Sequence, residues 1–126
     1  MSFLNPVRLL KSFKYASTGF FELVKTEQNI RIHLILTAIV VVLMFYFRTT
    51  ILETSVLIIS IVIVLLAEII NSVLERIVDI IKPRLTPEAR TMKDIMAAMV
   101  LMSSFGAVII GLLIFVPKII DKIDMV

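Results

Sequence analysis

The chain has 126 residues, 60% of them hydrophobic, with a mean hydropathy of +1.06, well beyond the roughly 45–50% apolar content of soluble domains. It lacks cysteine and has one histidine, His33, which excludes disulfides, thiolate metal sites, a cysteine nucleophile and a multi-histidine metal centre. The net charge is +3, and the basic residues sit at the ends of apolar segments, so the expectation is one integral-membrane domain, residues 1–126, that does not bind nucleic acid.

The first element expected is an amphipathic helix over about residues 6–25. Asn5 followed by Pro6 reads as an N-cap and first-turn proline. Leu9, Phe13, Ala16, Phe20 and Leu23 recur at spacings of four and three, with Arg8, Lys11, Tyr15, Thr18, Glu22 and Lys25 on the other side. Such a helix is expected to lie on the membrane surface, a reading compatible with packing its apolar face on the spans. The charges in this stretch argue against a cleavable signal sequence.

Three segments can cross a bilayer: about 30–47, 51–74 and 95–116. Arg48-Thr49-Thr50 is a tight link, so the first two spans form a helical hairpin. Pro83 and Pro87 end the second span's helix, and Thr86-Pro87-Glu88 opens the next. Ser103, Ala107 and Gly111 recur every four residues, a smooth face for close helix contact. The N-terminal segment and the connection between spans two and three each carry five Lys or Arg, and the hairpin link carries one. The positive-inside rule puts the N-terminus and the long connection in the cytoplasm and, after three spans, the C-terminus outside.

Chemistry concentrates between Ala67 and Asp79, AEIINSVLERIVD, where Glu68, Asn71, Glu75 and Asp79 fall on one helical stripe. Ionisable groups in hydrocarbon cost about 2.5–3.5 kcal/mol on insertion scales and mark function more often than decoration. Glu68 lies about 10 Å deeper than Glu75. Its drier position suits proton transfer; the bland alternative is a carboxyl hydrogen-bonded between helices. Glu75, nearer the interface, suits cation binding. Glu27 precedes the first span at the same depth, and two carboxylates with oxygen neighbours suit Mg²⁺. Lys93, where the third span begins, can hold a phosphate or simply anchor the helix, and Asp94 favours a helix start. His33 reads as structural or interfacial. No glycine-rich phosphate loop is present, so side chains and metal must hold any nucleotide.

AEIINSVLERIVD resembles the E-x-x-N-[ST]-x-x-E-x-x-x-D signature of the small prokaryotic diacylglycerol kinases and undecaprenol kinases. FKYASTGF, TEQNIRIH, ARTMKD and GLLIFVPKI are similar to the segments before and after it in that family, so the resemblance covers nearly the whole chain. It implies an all-α membrane protein of the bacterial inner membrane. Each subunit has an N-terminal amphipathic surface helix and three transmembrane helices, and the assembly is a homotrimer with sites shared between neighbours. It also implies transfer of the γ-phosphoryl of ATP to a lipid hydroxyl at the cytoplasmic face. By position Glu68 matches the catalytic base, and Glu27 and Glu75 the metal-binding carboxylates. Asn71, Lys93 and Asp94 match the nucleotide site, and Tyr15 and Arg8 surface-helix positions near it; Asp79 matches the last signature position. His33 stands where the Gram-negative diacylglycerol kinases tend to be acidic, which favours undecaprenol over diacylglycerol as acceptor. Thr91-Met92 replaces the small residues often found there.

The expectation is Mg²⁺-assisted in-line phosphoryl transfer from ATP to a membrane lipid alcohol. The rivals are a small proton- or ion-translocating subunit built on Glu68, and an assembly protein whose polar stripe binds helices together.

Overall fold

The computed structural model describes residues 5–81 and 86–124. They form four helices and no strand: α1 (Pro6–Thr26), α2 (Gln28–Tyr46), α3 (Ile51–Ile81) and α4 (Pro87–Asp124). Lys82, Pro83 and Arg84 lie outside the described residues, and with them the expected role of Pro83 in ending α3. The last three helices are each long and apolar enough to cross a membrane.

The helix starts follow from local chemistry. Asn5 caps α1, its Oδ1 accepting from the backbone N–H of Val7 at 3.1 Å and of Arg8 at 3.2 Å, with Pro6 in the first turn. Asn5→Ala is expected to cost about 1 kcal/mol of local helix stability. Amide exchange at Val7 and Arg8 should then quicken roughly fivefold, and unchanged exchange would show that the cap contributes nothing. Thr50 and Glu53 form a capping box for α3. The Glu53 carboxylate accepts from Thr50 N–H at 2.7 Å, and Thr50 Oγ1 accepts from Glu53 N–H at 3.3 Å. Thr86 Oγ1 accepts from Ala89 N–H at 3.3 Å, with Pro87 in the first turn of α4.

Only Glu27 separates α1 from α2; its extended backbone (φ −106°, ψ 118°) breaks the helix there. The hairpin link turns at Arg48, whose φ of 48° lies in the left-handed region. Thr49 and Thr54 close the turn through their hydroxyls at 2.8 Å. The helices outrun the expected spans. α3 continues past residue 74 to Ile81, so Glu75 and Asp79 ride on the same helix as Glu68. α4 is a single helix of 38 residues that carries Pro117 in its interior. At about 57 Å it exceeds the hydrocarbon core of about 30 Å.

α3 is the central element. Leu57, Ser60, Val64, Ala67, Glu68, Asn71 and Ser72 form its buried stripe, and α4 runs along it. At the hairpin end Met44, Leu57 and Phe115 make a core cluster joining α2, α3 and α4. Lys118 pairs with Glu53 at 3.0 Å, and Lys122 Nζ sits 3.8 Å from the Tyr46 ring centroid. These two contacts lock the end of α4 to both partners. Outward faces stay apolar and exposed, as a bilayer-facing surface requires.

On α1 only Leu23 is buried, whereas Leu9 and Phe13 remain 63% and 66% exposed. The apolar stripe is therefore covered only near its C-terminal end, at Leu23. Within one chain the rest of the stripe stays open, as a surface-lying helix leaves it.

Candidate functional site

Along α3 the signature residues pass from buried to exposed towards the Arg76–Asp79 end. Glu68 is 1% exposed, Asn71 is 7%, Glu75 is half-buried and Asp79 is open. The 3.6-residue period sets all four on one stripe, and the packing of the neighbouring helices makes its deep end dry.

Two acceptors on that stripe have no partner: Glu68 Oε2 and Asn71 Oδ1 are both buried without a hydrogen bond. A buried polar group without a partner costs about 1–3 kcal/mol, so each one in a fold calls for an explanation. The amide end of Asn71 is occupied, since Nδ2 donates to Glu75 Oε1 at 3.3 Å. That bond orients the amide and leaves its carbonyl oxygen free.

Glu27 reaches the site through an arginine that sequence reasoning did not single out. Arg76 Nη2 donates to Glu27 Oε1 at 3.0 Å and to Thr26 Oγ1 at 2.6 Å. This ties the α1–α2 joint to the turn of α3 that carries Glu75, in line with the common depth expected for the two carboxylates. The signal was a lone cation directly after Glu75, but its partner, about fifty residues away in sequence, is a tertiary fact.

Lys93 of α4 donates to Asp79 and forms an ion pair with it. The basic residue expected near phosphate is thereby held against the last signature position. Asp94 is exposed beside it. Arg8 and Tyr15 are exposed on α1. They precede Glu27 by about 28 Å and 18 Å of helix, and the single chain does not bring them to the stripe.

The oxygen donors fit a magnesium ion by chemistry. Glu27, Glu75 and the free Asn71 Oδ1 are hard ligands. No group of three or more His, Cys, Asp and Glu gathers among the described residues. A set of one or two carboxylates suits an ion that keeps waters and takes phosphate oxygens, not one caged wholly by protein.

Two crevices flank the stripe. One, about 500 Å³, lies between α1 and α3, lined by Ala16, Gly19, Phe20, Leu23, Ile69 and Val73 with Glu22 and Arg76. The other, about 230 Å³, lies between α2, α3 and α4, with His33, Thr37 and Ser104 among apolar side chains. His33 is half-buried there.

The sequence profile of prokaryotic diacylglycerol kinase matches residues 14–115, which include Glu27, the whole α3 stripe, Lys93 and Asp94. The chain is 33% identical over 112 residues to undecaprenol kinase from Bacillus subtilis (strain 168), covering 89% of this chain and 91% of that protein. It is 30% identical over 114 residues to a diacylglycerol kinase from Synechocystis, covering 90% of this chain and 65% of that protein. No solved structure matches significantly. With the four-helix architecture and the polar stripe, these matches show that the chain belongs to the prokaryotic diacylglycerol kinase family, a family of lipid kinases.

Proposed function

We propose that this protein transfers the γ-phosphoryl of ATP to the hydroxyl of undecaprenol at the cytoplasmic face of the bacterial inner membrane. The observation that carries this reading is the buried, unpartnered Glu68 Oε2, deep on the stripe that also bears Asn71 and Glu75. A carboxylate acceptor with nothing to accept from is suited to take a proton from an incoming alcohol.

In the transfer, the lipid hydroxyl oxygen forms a bond to the γ-phosphorus. The bond from that phosphorus to the β,γ-bridging oxygen breaks, ADP departs, and the hydroxyl proton passes to Glu68. Glu68 also orients the attacking oxygen. A magnesium ion, when bound, neutralises charge on the ATP phosphates. Glu27 and Glu75 would hold it, with the Asn71 carbonyl oxygen beside them. Arg76 keeps Glu27 at the right level, and the Asn71–Glu75 hydrogen bond fixes the second carboxylate. Lys93 supplies a positive charge for phosphate once it turns from Asp79, and Asp94 lines the same edge. Catalysis of this kind is mostly positioning and electrostatics, so few side chains are needed.

In this reading residues 1–126 act as one domain, and the protein works as a homotrimer. Arg8 and Tyr15 would reach the nucleotide at a neighbour's stripe, which their distance from their own stripe supports. Clusters of Lys and Arg support a cytoplasmic N-terminus and α3–α4 connection, with the C-terminus outside.

The test is phosphate transfer from labelled ATP to undecaprenol and to diacylglycerol, side by side in the same mixed micelles. Magnesium-dependent transfer with undecaprenol preferred is expected. Transfer to neither lipid by folded protein would overturn the reading, and preference for diacylglycerol would move the protein to phospholipid turnover.

A further inference from the structure

Several helical hydroxyls among the described residues bond back to their own helix. Ser12, Thr18, Ser55, Ser60 and Ser103 each donate to a carbonyl oxygen of the preceding turn at 2.8–3.0 Å. Ser104 does not. Its Oγ is buried and makes no hydrogen bond, although a helical serine can ordinarily back-bond to its own helix. A buried hydroxyl that forgoes this option is free to bind something else.

The antiparallel register gives its level along the helices. Lys118 pairs with Glu53, Phe115 shares a core cluster with Leu57, and Lys93 pairs with Asp79. Carried along α3 and α4, these contacts put Ser104 at the level of Glu68. Met44 clusters with Leu57 and Glu27 pairs with Arg76, which puts His33 of α2 close to that level too. Three polar residues from three helices thus share one depth. Two of them, Glu68 and Ser104, carry a buried unpartnered oxygen.

Ser104 and His33 also line the polar end of the α2–α3–α4 crevice. From His33 to Leu43 it runs about 15 Å. Beyond Thr37 its walls are apolar, with Val40, Leu43, Ile61 and Phe115 towards the hairpin end. Val64, one turn from Glu68 on the buried stripe of α3, belongs to the same wall. A crevice polar at the Glu68 level and apolar below it has the polarity of a long-chain alcohol. With a volume of about 230 Å³ along that length it is a narrow slot, suited to the head end of one hydrocarbon chain.

Resting on the kinase reading above, we propose that Ser104 is an acceptor-binding residue: its hydroxyl donates to the alcohol oxygen of the lipid opposite Glu68, while the crevice takes a single hydrocarbon chain. The alcohol's own proton points to Glu68, so the two orphaned oxygens serve as donor and acceptor to one substrate atom. The chain leaves sideways into the bilayer, because Met44, Leu57 and Phe115 close the hairpin end. The larger groove between α1 and α3 is the competing location. Its polar lining, Glu22 and Arg76, is charged, and Arg76 is already engaged with Glu27.

The test combines kinetics with labelling. Ser104→Ala should raise the KM for undecaprenol roughly tenfold while leaving the KM for ATP and thermal stability unchanged, and Ser104→Thr should restore it. Gly111 lines the crevice and a Cβ there meets nothing within 4 Å, so Gly111→Leu, with its folding checked by thermal unfolding, is the filling variant and should raise the lipid KM about tenfold. Gly106, equally unobstructed but outside the crevice lining, gives the control Gly106→Leu, expected to leave it unchanged. A prenyl alcohol with a photoreactive tail, used without nucleotide, should label Thr37–Leu43 and Ser104–Phe115, and Gly111→Leu should abolish the label. An unmoved lipid KM in Ser104→Ala, or an equal rise in the KM for ATP, would overturn the proposal, as would labelling confined to the α1–α3 groove. Preference for diacylglycerol would overturn the single-chain part. Loss of the kinase reading would instead appear as no transfer to any lipid, and the labelling would still decide the crevice.

Discussion

Glu68→Gln is expected to lower turnover about 10²–10⁴-fold, the range for removing a positioned general base, while the protein folds and binds ATP normally. The substitution keeps shape and volume at a residue that is 1% exposed, so α3 packing survives. It removes only the ability to take a proton at Oε2, the atom that lacks a partner in the chain. The measurement is kcat for undecaprenol phosphorylation, with thermal unfolding and ATP binding followed in parallel. Loss of turnover at unchanged Tm assigns the proton-accepting role. Normal turnover would remove it, and a large drop in Tm would return Glu68 to the bland reading of a carboxyl that holds helices together. The variant also separates the kinase from an ion-translocating subunit, because nucleotide should protect a kinase against heat whether or not residue 68 can be protonated.

Glu75→Gln is expected to raise the magnesium concentration for half-maximal activity by about 10–100-fold, with a smaller effect on lipid KM. The amide oxygen of Gln can still accept from Asn71, whose bond to Glu75 is 3.3 Å, so the local hydrogen bond is retained and the charge is lost. Magnesium titration at saturating ATP reads the effect directly. An unchanged titration would take Glu75 out of the metal site and leave Glu27, already neutralised in part by Arg76 at 3.0 Å, as an ion-pair residue alone. In the proposed mechanism these two carboxylates on one helix take separate tasks because they differ in depth. Glu68 is packed between helices, and Glu75 is half-buried at the edge.

Much of this arrangement was legible in the amino-acid order. Asn5-Pro6 and Thr86-Pro87 announce two helix starts, and both act as caps. The Thr50–Glu53 capping box has an equally visible Thr-x-x-Glu spacing, at the start of an otherwise apolar run. The one-face spacing of Glu68, Asn71, Glu75 and Asp79 carries the helix past the apolar span that ends near residue 74, and α3 runs on to Ile81. The helix continues because its backbone bonds do not depend on hydropathy, and its polar stripe is what the site requires.

Other features had no one-dimensional signal. Arg76 finds Glu27 and Lys93 finds Asp79 only after the helices pack. Ser104 resembles Ser103 in every sequence respect. Ser103 is satisfied by its own helix, whereas Ser104 is left buried and unpaired.

By itself the sequence determined the helices, their number and apolar length, and the single polar stripe, because hydropathy and the 3.6-residue period act along the chain. Only the tertiary structure decided which cation holds Glu27 and which holds Asp79, and which serine hydroxyl is left buried and unpaired. Burial and ion pairing are properties of surfaces brought together by antiparallel packing, and no segment carries them alone.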